Sequence, residues 1–273
     1  MGHFRQLYDL TGRVGVVTGG AGILGHATTA ALADHGAKVA VVDIDAAQAA
    51  EVAANLTDEY GTAAIGVACD VTDPTSVAEM TSEVESKLGP IDILHNNAAT
   101  KGTDLEKLFA TVEDYELGIW RDIMAVNLDG LFLVAQRIGS GMAQRGRGSI
   151  VQTASIYGAT MGPDQRIYEG SEYMGRPINT PAVYSASKGG VVGLTLYLAT
   201  YWASRGVRVN ALTPGGIASG QNDEFSRRYS ARVPLARMAA VEEVAAGFLF
   251  LASDASSYIT GQNLHVDGGL SAW

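Results

Sequence analysis

Short runs of Val, Ile and Ala, closed by Gly, Asp, Asn or Thr, alternate along the chain with longer Ala- and Leu-rich stretches whose apolar positions recur at helical spacing. The short runs predict strands near residues 14–18, 38–43, 64–70, 91–96, 149–153, 208–213 and 264–266. The longer stretches predict helices beginning near Gly22, Ala46, Pro74, Val112, Pro181 and Val241. Strand and helix in turn imply an α/β fold, a doubly wound, Rossmann-like parallel sheet of about seven strands with helices on both faces. Two stretches stand outside this alternation, an insertion at 156–180 and a lid-like loop at 215–235. Both are expected to belong to a single domain spanning 1–273.

The first strand runs into Thr18-Gly19-Gly20-Ala21-Gly22-Ile23-Leu24-Gly25 and then into a helical pattern. Glycines in that setting let a turn tighten and let backbone N–H groups approach a pyrophosphate at a helix N-terminus. The second strand ends Val41-Val42-Asp43-Ile44, with Asp43 eighteen positions beyond Gly25 (43 − 25 = 18). An acid near that offset binds adenosine ribose hydroxyls and repels a 2′-phosphate, so NAD is expected rather than NADP. Asp43 could instead cap the following helix. The third strand ends at Asp70 and Val71, where an adenine edge would lie. The fourth ends Asn96-Asn97-Ala98-Ala99, small enough for close cofactor approach; Asn97 is read equally well as a tie between strand ends.

Tyr184 and Lys188, at i and i+4 of a predicted helix, share one face. An ammonium beside a phenol favours the phenolate and brings an otherwise inert tyrosine towards acid/base duty. Ser155 falls just past the carboxyl end of the fifth strand, where open α/β sheets hold their ligands. No Gly-x-Ser-x-Gly elbow surrounds it, which argues against a hydrolase. Asn127 interrupts an apolar helix, either to pin a water chain or as a satisfied core amide.

Composition narrows the classes further. The 273 residues, 47% hydrophobic, can bury one large core, and no window is apolar enough for a membrane span. The opening residues lack the apolar stretch of a signal peptide, so a cytoplasmic protein is expected. Cys69 is the one cysteine, and no Cys/His pairs stand at ligand spacing, so neither disulfide nor metal is expected. A net charge of −10 disfavours nucleic acid as a partner. It leaves room for an anionic small substrate only if local arginines outweigh the field.

The glycine turn, Asn96-Asn97-Ala98, Asn127, Ser155, Tyr184, Lys188, Pro214-Gly215 and Val266-Asp267-Gly268-Gly269 stand in the order of a short-chain dehydrogenase/reductase, which the chain resembles over nearly its whole length. The resemblance is to the short, single-domain branch. It implies Tyr184 as acid/base, Lys188 lowering its pKa and holding the nicotinamide ribose, Ser155 orienting substrate and Asn127 anchoring a relay water. It also implies that Pro214, Gly215 and Ile217 pass the nicotinamide carboxamide and that the protein is a homotetramer or homodimer. Three features depart from the family pattern: the middle glycine spacing suits the longer, sugar-nucleotide-modifying branch, Ala99 replaces a usual glycine, and Ser155 and Tyr184 are 29 positions apart (184 − 155 = 29), a wider gap than usual.

The 156–180 insertion causes that gap and has both ends tied to reacting residues. Tyr157, Arg166, Glu169 and Arg176 within it, with Gly216 opposite, are therefore candidate substrate contacts. Its polar character suits a sugar, sugar acid or polyol, and its motifs resemble a sub-branch associated with acidic-sugar and surface-glycan metabolism. An arginine there would read an anionic end, or else pair with Asp164, Glu169 or Glu172 inside the insertion. Two competing readings are a sugar-nucleotide epimerase or dehydratase and a non-catalytic NAD-binding redox sensor.

Overall fold

The computed structural model describes residues 2–273 apart from Thr103 and Met174, and not the side chains of Tyr173 and Arg176. Arg176, one of the two arginines expected at the substrate, therefore falls outside the described side chains. The strands are β1 (Val14–Thr18), β2 (Lys38–Asp43), β3 (Ala64–Ala68), β4 (Ile93–Asn96), β5 (Gly148–Thr153), β6 (Glu172–Tyr173), β7 (Arg176–Pro177), β8 (Val207–Pro214) and β9 (Asn263–Val266). Seven of them form one parallel sheet in the order β3-β2-β1-β4-β5-β8-β9. The chain winds outward from β1 to β3, then returns to β4 on the other side of β1. That reversal opens a crevice above the carboxyl ends of β1 and β4.

Alternate strand residues feed two separate cores. Val16, Val42, Leu94, Ile150 and Val209 point to one face and pack with Val134, Ile138, Met142, Leu198 and Trp202. Val17, Val41, Ile93, Val151 and Leu212 point to the other, against Leu32, Val244, Phe248 and Leu249. Burial on both faces is why these strands read as unbroken apolar runs. Asp45 and Asp73 cap the helices Ala46–Tyr60 and Pro74–Lys87 by accepting from backbone N–H groups of their first turns. The cap is thus Asp45, which leaves Asp43 for other work.

The helix expected near Val112 begins at Leu117 instead. Thr111 and Asp114 close a turn by a backbone and a side-chain hydrogen bond, which holds exposed Val112 outside the helix. Beyond Met124 the helix widens into a π turn, Ala125–Gly130, and then resumes as Leu131–Arg145. The lid-like loop contains an unexpected helix, Asp223–Ser230, capped by Asn222. Only Phe225 and Tyr229 mark it in the sequence, at i and i+4, too few for a periodic signal. Both join Ile156, Tyr157, Ile167, Val233 and Leu270 in one apolar cluster, so insertion and loop share a core of their own. The tip of the insertion is the β6–β7 hairpin.

Candidate active site

Two cavities meet at the carboxyl edge of the sheet. The first, about 590 Å³, lies over the β1–β4 crevice and is lined by Gly19, Gly22, Ile23, Leu24, Asp43, Ile44, Asp70, Val71, Asn97, Ala98 and Ala99 among others. The helix Ile23–Asp34 starts there with no side-chain cap, so its first N–H groups face the cavity. Gly25 lies behind the turn: a Cβ on it would stand 2.0 Å from the Gly19 carbonyl oxygen, so only glycine lets helix and turn close up. Gly20 is likewise buried against β2 and does not line the cavity. These two candidate contacts shape the cradle from behind. A glycine-lined turn ending on uncapped N–H groups fits the pyrophosphate of a dinucleotide.

Asp43 accepts from the Ala21 N–H at 3.1 Å, which ties the end of β2 to the turn. Exposed Ile44 offers an apolar rim for a base. Asp70 accepts from Thr72 at both N–H and hydroxyl, fixing the end of β3. Among the described residues, no Lys, Arg or His lines this cavity. Asn97 donates to the carbonyls of Thr18 and Gly19 and accepts from Thr153, so its amide is spent on tying strand ends although it lines the cavity.

The second cavity, about 450 Å³, shares Thr100 with the first and is lined by Ser155, Tyr157, Tyr184, Gly215 and Gly216, with residues of the insertion and of the Asp223–Ser230 helix. The helix Ala182–Trp202 carries Tyr184 and Lys188. Gly158 brings Ser155 to it across the long insertion. Its φ is +97°, and a Cβ there would stand 1.9 Å from the Ser185 carbonyl oxygen, one residue from Tyr184. The Ser155 oxygen accepts from the Tyr157 N–H at 3.3 Å, and its hydroxyl lies near enough to the Tyr184 phenol to pull the phenol's pKa down.

Lys188 is buried, and its ammonium donates to the Thr153 carbonyl at 2.8 Å. Burial lowers its pKa to about 8. Tyr184 departs from expectation: burial pushes its pKa up, and the Ser155 hydroxyl pulls only part of the way back. Lys188 is directed at a carbonyl rather than at the phenol, so the cation expected to favour phenolate does not offset desolvation in the protein alone. Asn127 is fully buried; its Oδ1 accepts from Thr100 N–H at 2.8 Å, so the side chain braces the segment between the cavities.

The insertion's charged candidates lie elsewhere. Arg166 has 81% of its side chain exposed and forms a two-pronged pair with Asp164, both contacts 2.8 Å. Glu169 pairs with Arg228 at 2.8 Å. Neither lines the cavity: the guanidinium is held by the Asp164 carboxylate two residues away, and the Glu169 carboxylate by Arg228. Tyr157 is buried in the cavity wall with its hydroxyl beside Arg232. Gly216 lines the same cavity, whereas Ile217 pairs with Ala239 outside both. Pro214 is the buried end of β8 and lines neither cavity.

His95 is a residue the sequence left unassigned. Fully buried on β4 and stacked on Phe248, it contacts Thr28 Oγ1 through Nδ1 and Thr153 Oγ1 through Nε2, each at 2.9 Å. Thr153 donates on to Asn97 at 3.1 Å. If Thr153 gives its proton to Asn97, the imidazole must carry its own on Nε2. Burial holds the pKa of the ring down at about 3, so the ring is neutral. One hydrogen-bonded chain thus joins the helix behind the glycine turn to Thr153, whose carbonyl holds Lys188. In the sequence His95 sits inside an apolar run, and nothing local names its partners.

A model of the short chain dehydrogenase family matches residues 13–172, and one described as enoyl-(acyl carrier protein) reductase matches residues 170–271. The chain belongs to the short-chain dehydrogenase/reductase family. A D-threitol dehydrogenase of Mycolicibacterium smegmatis is 38% identical over 270 residues, covering 96% of this chain and 94% of that one. A gluconate 5-dehydrogenase from Burkholderia cenocepacia, solved with NADP and tartrate, superposes with a TM-score of 0.85 at 33% identity over 99% of this chain and all (100%) of that one. An NAD+-bound xylitol dehydrogenase superposes with a TM-score of 0.83 at 29% identity, over 96% of this chain and 100% of the other. The chain is therefore an oxidoreductase of CH–OH groups that uses a nicotinamide cofactor, and several of its relatives are named for polyol or sugar substrates. Among the described residues, no helix is long and apolar enough to cross a membrane.

Proposed function

We propose that this oxidoreductase is NAD-dependent and interconverts a secondary alcohol of a polyol or sugar with its ketone, with Tyr184 as the acid/base. The observation that carries the reading is the pair of neighbouring side chains Ser155 and Tyr184 on the wall of the second cavity, beside the dinucleotide cradle. In oxidation, the substrate hydroxyl sits between Ser155 and Tyr184. Ser155 holds the oxygen, its own lone pair already engaged by the Tyr157 N–H, while the Tyr184 oxygen, once ionised, would take the proton. A nicotinamide cofactor, when bound, would supply the hydride acceptor. Lys188, whose ammonium donates to the Thr153 carbonyl, would hold the ribose of a bound nicotinamide cofactor. The Asn127 side chain is held by the Thr100 N–H.

The NAD preference rests on Asp43 and Asp70 lining a cradle whose described residues include no cation. A 2′-phosphate there would meet like charge with nothing to neutralise it. Purified protein offered alditols, ketoses and aldonates with each cofactor, followed by NAD(P)H absorbance, tests both parts. Turnover of a polyol or sugar with higher kcat/KM for NAD is expected; a clear NADP preference refutes the cofactor assignment, and activity confined to apolar alcohols refutes the substrate class.

A further inference from the structure

We infer that Lys101 directs the enzyme towards substrates that carry a carboxylate: its ammonium pairs, within the second cavity, with an acid group on the same molecule whose carbinol meets Ser155 and Tyr184. The inference rests on the dehydrogenase function proposed above and narrows its substrates to sugar acids.

A protein of net charge −10 repels a small anion unless a local cation outweighs its field. Most cations around the insertion and the lid-like loop are already committed. Arg166 and Arg232 both pair with Asp164, and Arg228 is held by Glu169 and Glu224. None of these arginines lines the second cavity. Lys107, on the segment that follows Lys101, is taken by Glu116 at 3.0 Å.

Lys101 differs on each count. It lines the second cavity together with Ser155 and Tyr184, it is exposed, and it has no ion pair or hydrogen bond among the described residues. It is also the one charged residue among the described lining residues, so no carboxylate of the wall competes for it. The backbone at its root is anchored: Thr100 N–H donates to Asn127 Oδ1 at 2.8 Å, and Gly102 N–H donates to Thr100 Oγ1 at 2.9 Å. A fixed root under a long flexible stem lets the ammonium follow a carboxylate that enters beside it. Because the ammonium stays hydrated until it pairs, the gain is that of a partly exposed charged contact, about 3- to 10-fold in affinity. One lysine is one point charge, which a single carboxylate neutralises. A phosphate ester, at nearly two charges, calls for a second cation, and the described wall holds none.

The experiment compares three substrates on the NAD-supplied enzyme: an aldonate, the alditol of the same carbon skeleton, and a phosphate ester of that alditol. Wild type should favour the aldonate over both by about 3- to 10-fold in kcat/KM, and added salt should shrink that preference. In Lys101→Met the aldonate-to-alditol ratio should fall towards unity through the KM for the aldonate rather than its kcat, and in Lys101→Glu the preference should reverse. Alditol turnover reports that each variant is folded, and NADH binding, followed by fluorescence titration, should hold in both. A wild-type enzyme that treats aldonate and alditol alike, or prefers the phosphate ester, overturns the assignment without any variant. So does a Lys101→Met enzyme whose aldonate preference persists, or one whose loss is matched by weaker NADH binding. If aldonate and alditol are both inert while an unrelated alcohol is oxidised, the sugar reading itself has failed, and the role of Lys101 falls with it.

Discussion

Lys188→Met replaces a buried cation by an apolar side chain of similar length, and its effect on stability should depend on pH in a direction the structure dictates. Burial lowers the Lys188 pKa from 10.5 to about 8. Between those values the unfolded chain keeps a proton that the folded chain has released. Where the unfolded state binds more protons, stability rises with pH. Wild type should therefore gain about 2 kcal/mol between pH 8 and pH 10 from this group, at 1.36 kcal/mol for each pH unit, while below pH 8 a constant penalty of roughly 3 kcal/mol remains. Methionine titrates nothing. It also leaves the Thr153 carbonyl without its donor, a cost of about 1–3 kcal/mol that does not vary with pH. The wild-type-minus-variant difference should then move by about 2 kcal/mol in favour of wild type across that window. His95 titrates at about 3, outside this window, and any titration of Tyr184, which burial pushes up, is common to both proteins. Urea unfolding of both proteins at pH 8 and pH 10 measures the difference and cancels titrations common to the two. A difference that is flat with pH, or that moves the other way, would show that Lys188 is not desolvated as its burial requires.

Tyr184→Phe should abolish turnover yet keep NADH binding, measured by fluorescence titration, since only the ionisable oxygen is removed; retention of more than a few per cent of kcat would remove Tyr184 from the acid/base role. Asp43→Ala should narrow the gap in kcat/KM between NAD and NADP by relieving like-charge repulsion, and an unchanged ratio of the two would place discrimination elsewhere. Gly158→Ala should be severely destabilised, because it combines a φ of +97° with a Cβ 1.9 Å from the Ser185 carbonyl oxygen. A loss of about 4 kcal/mol or more is expected by thermal or urea unfolding, and a near-neutral result would mean that Ser155 is not placed by that backbone contact.

Local order carried much of this protein. Strands buried on both faces need continuous apolar runs, a pyrophosphate turn needs glycine next to a helix N-terminus, and Tyr184 and Lys188 share a helix face whatever surrounds them. Such features depend on residues close in the chain, so they are written in its spacing. The pairing of charges in the insertion is different in kind. Arg166 could have faced substrate or Asp164, and the turn that Asp164 caps decided for Asp164. The phenol–ammonium pair was legible, but burial raised the Tyr184 pKa where adjacency alone predicted a fall. His95, Thr28 and Thr153 come from three separate elements and become one hydrogen-bonded chain only when β4 lies between its neighbours in the sheet. Asn179 donates to the Phe109 carbonyl, 70 residues away (179 − 109 = 70). Contacts of that range are set by which surfaces pack together, and spacing along the chain does not encode them.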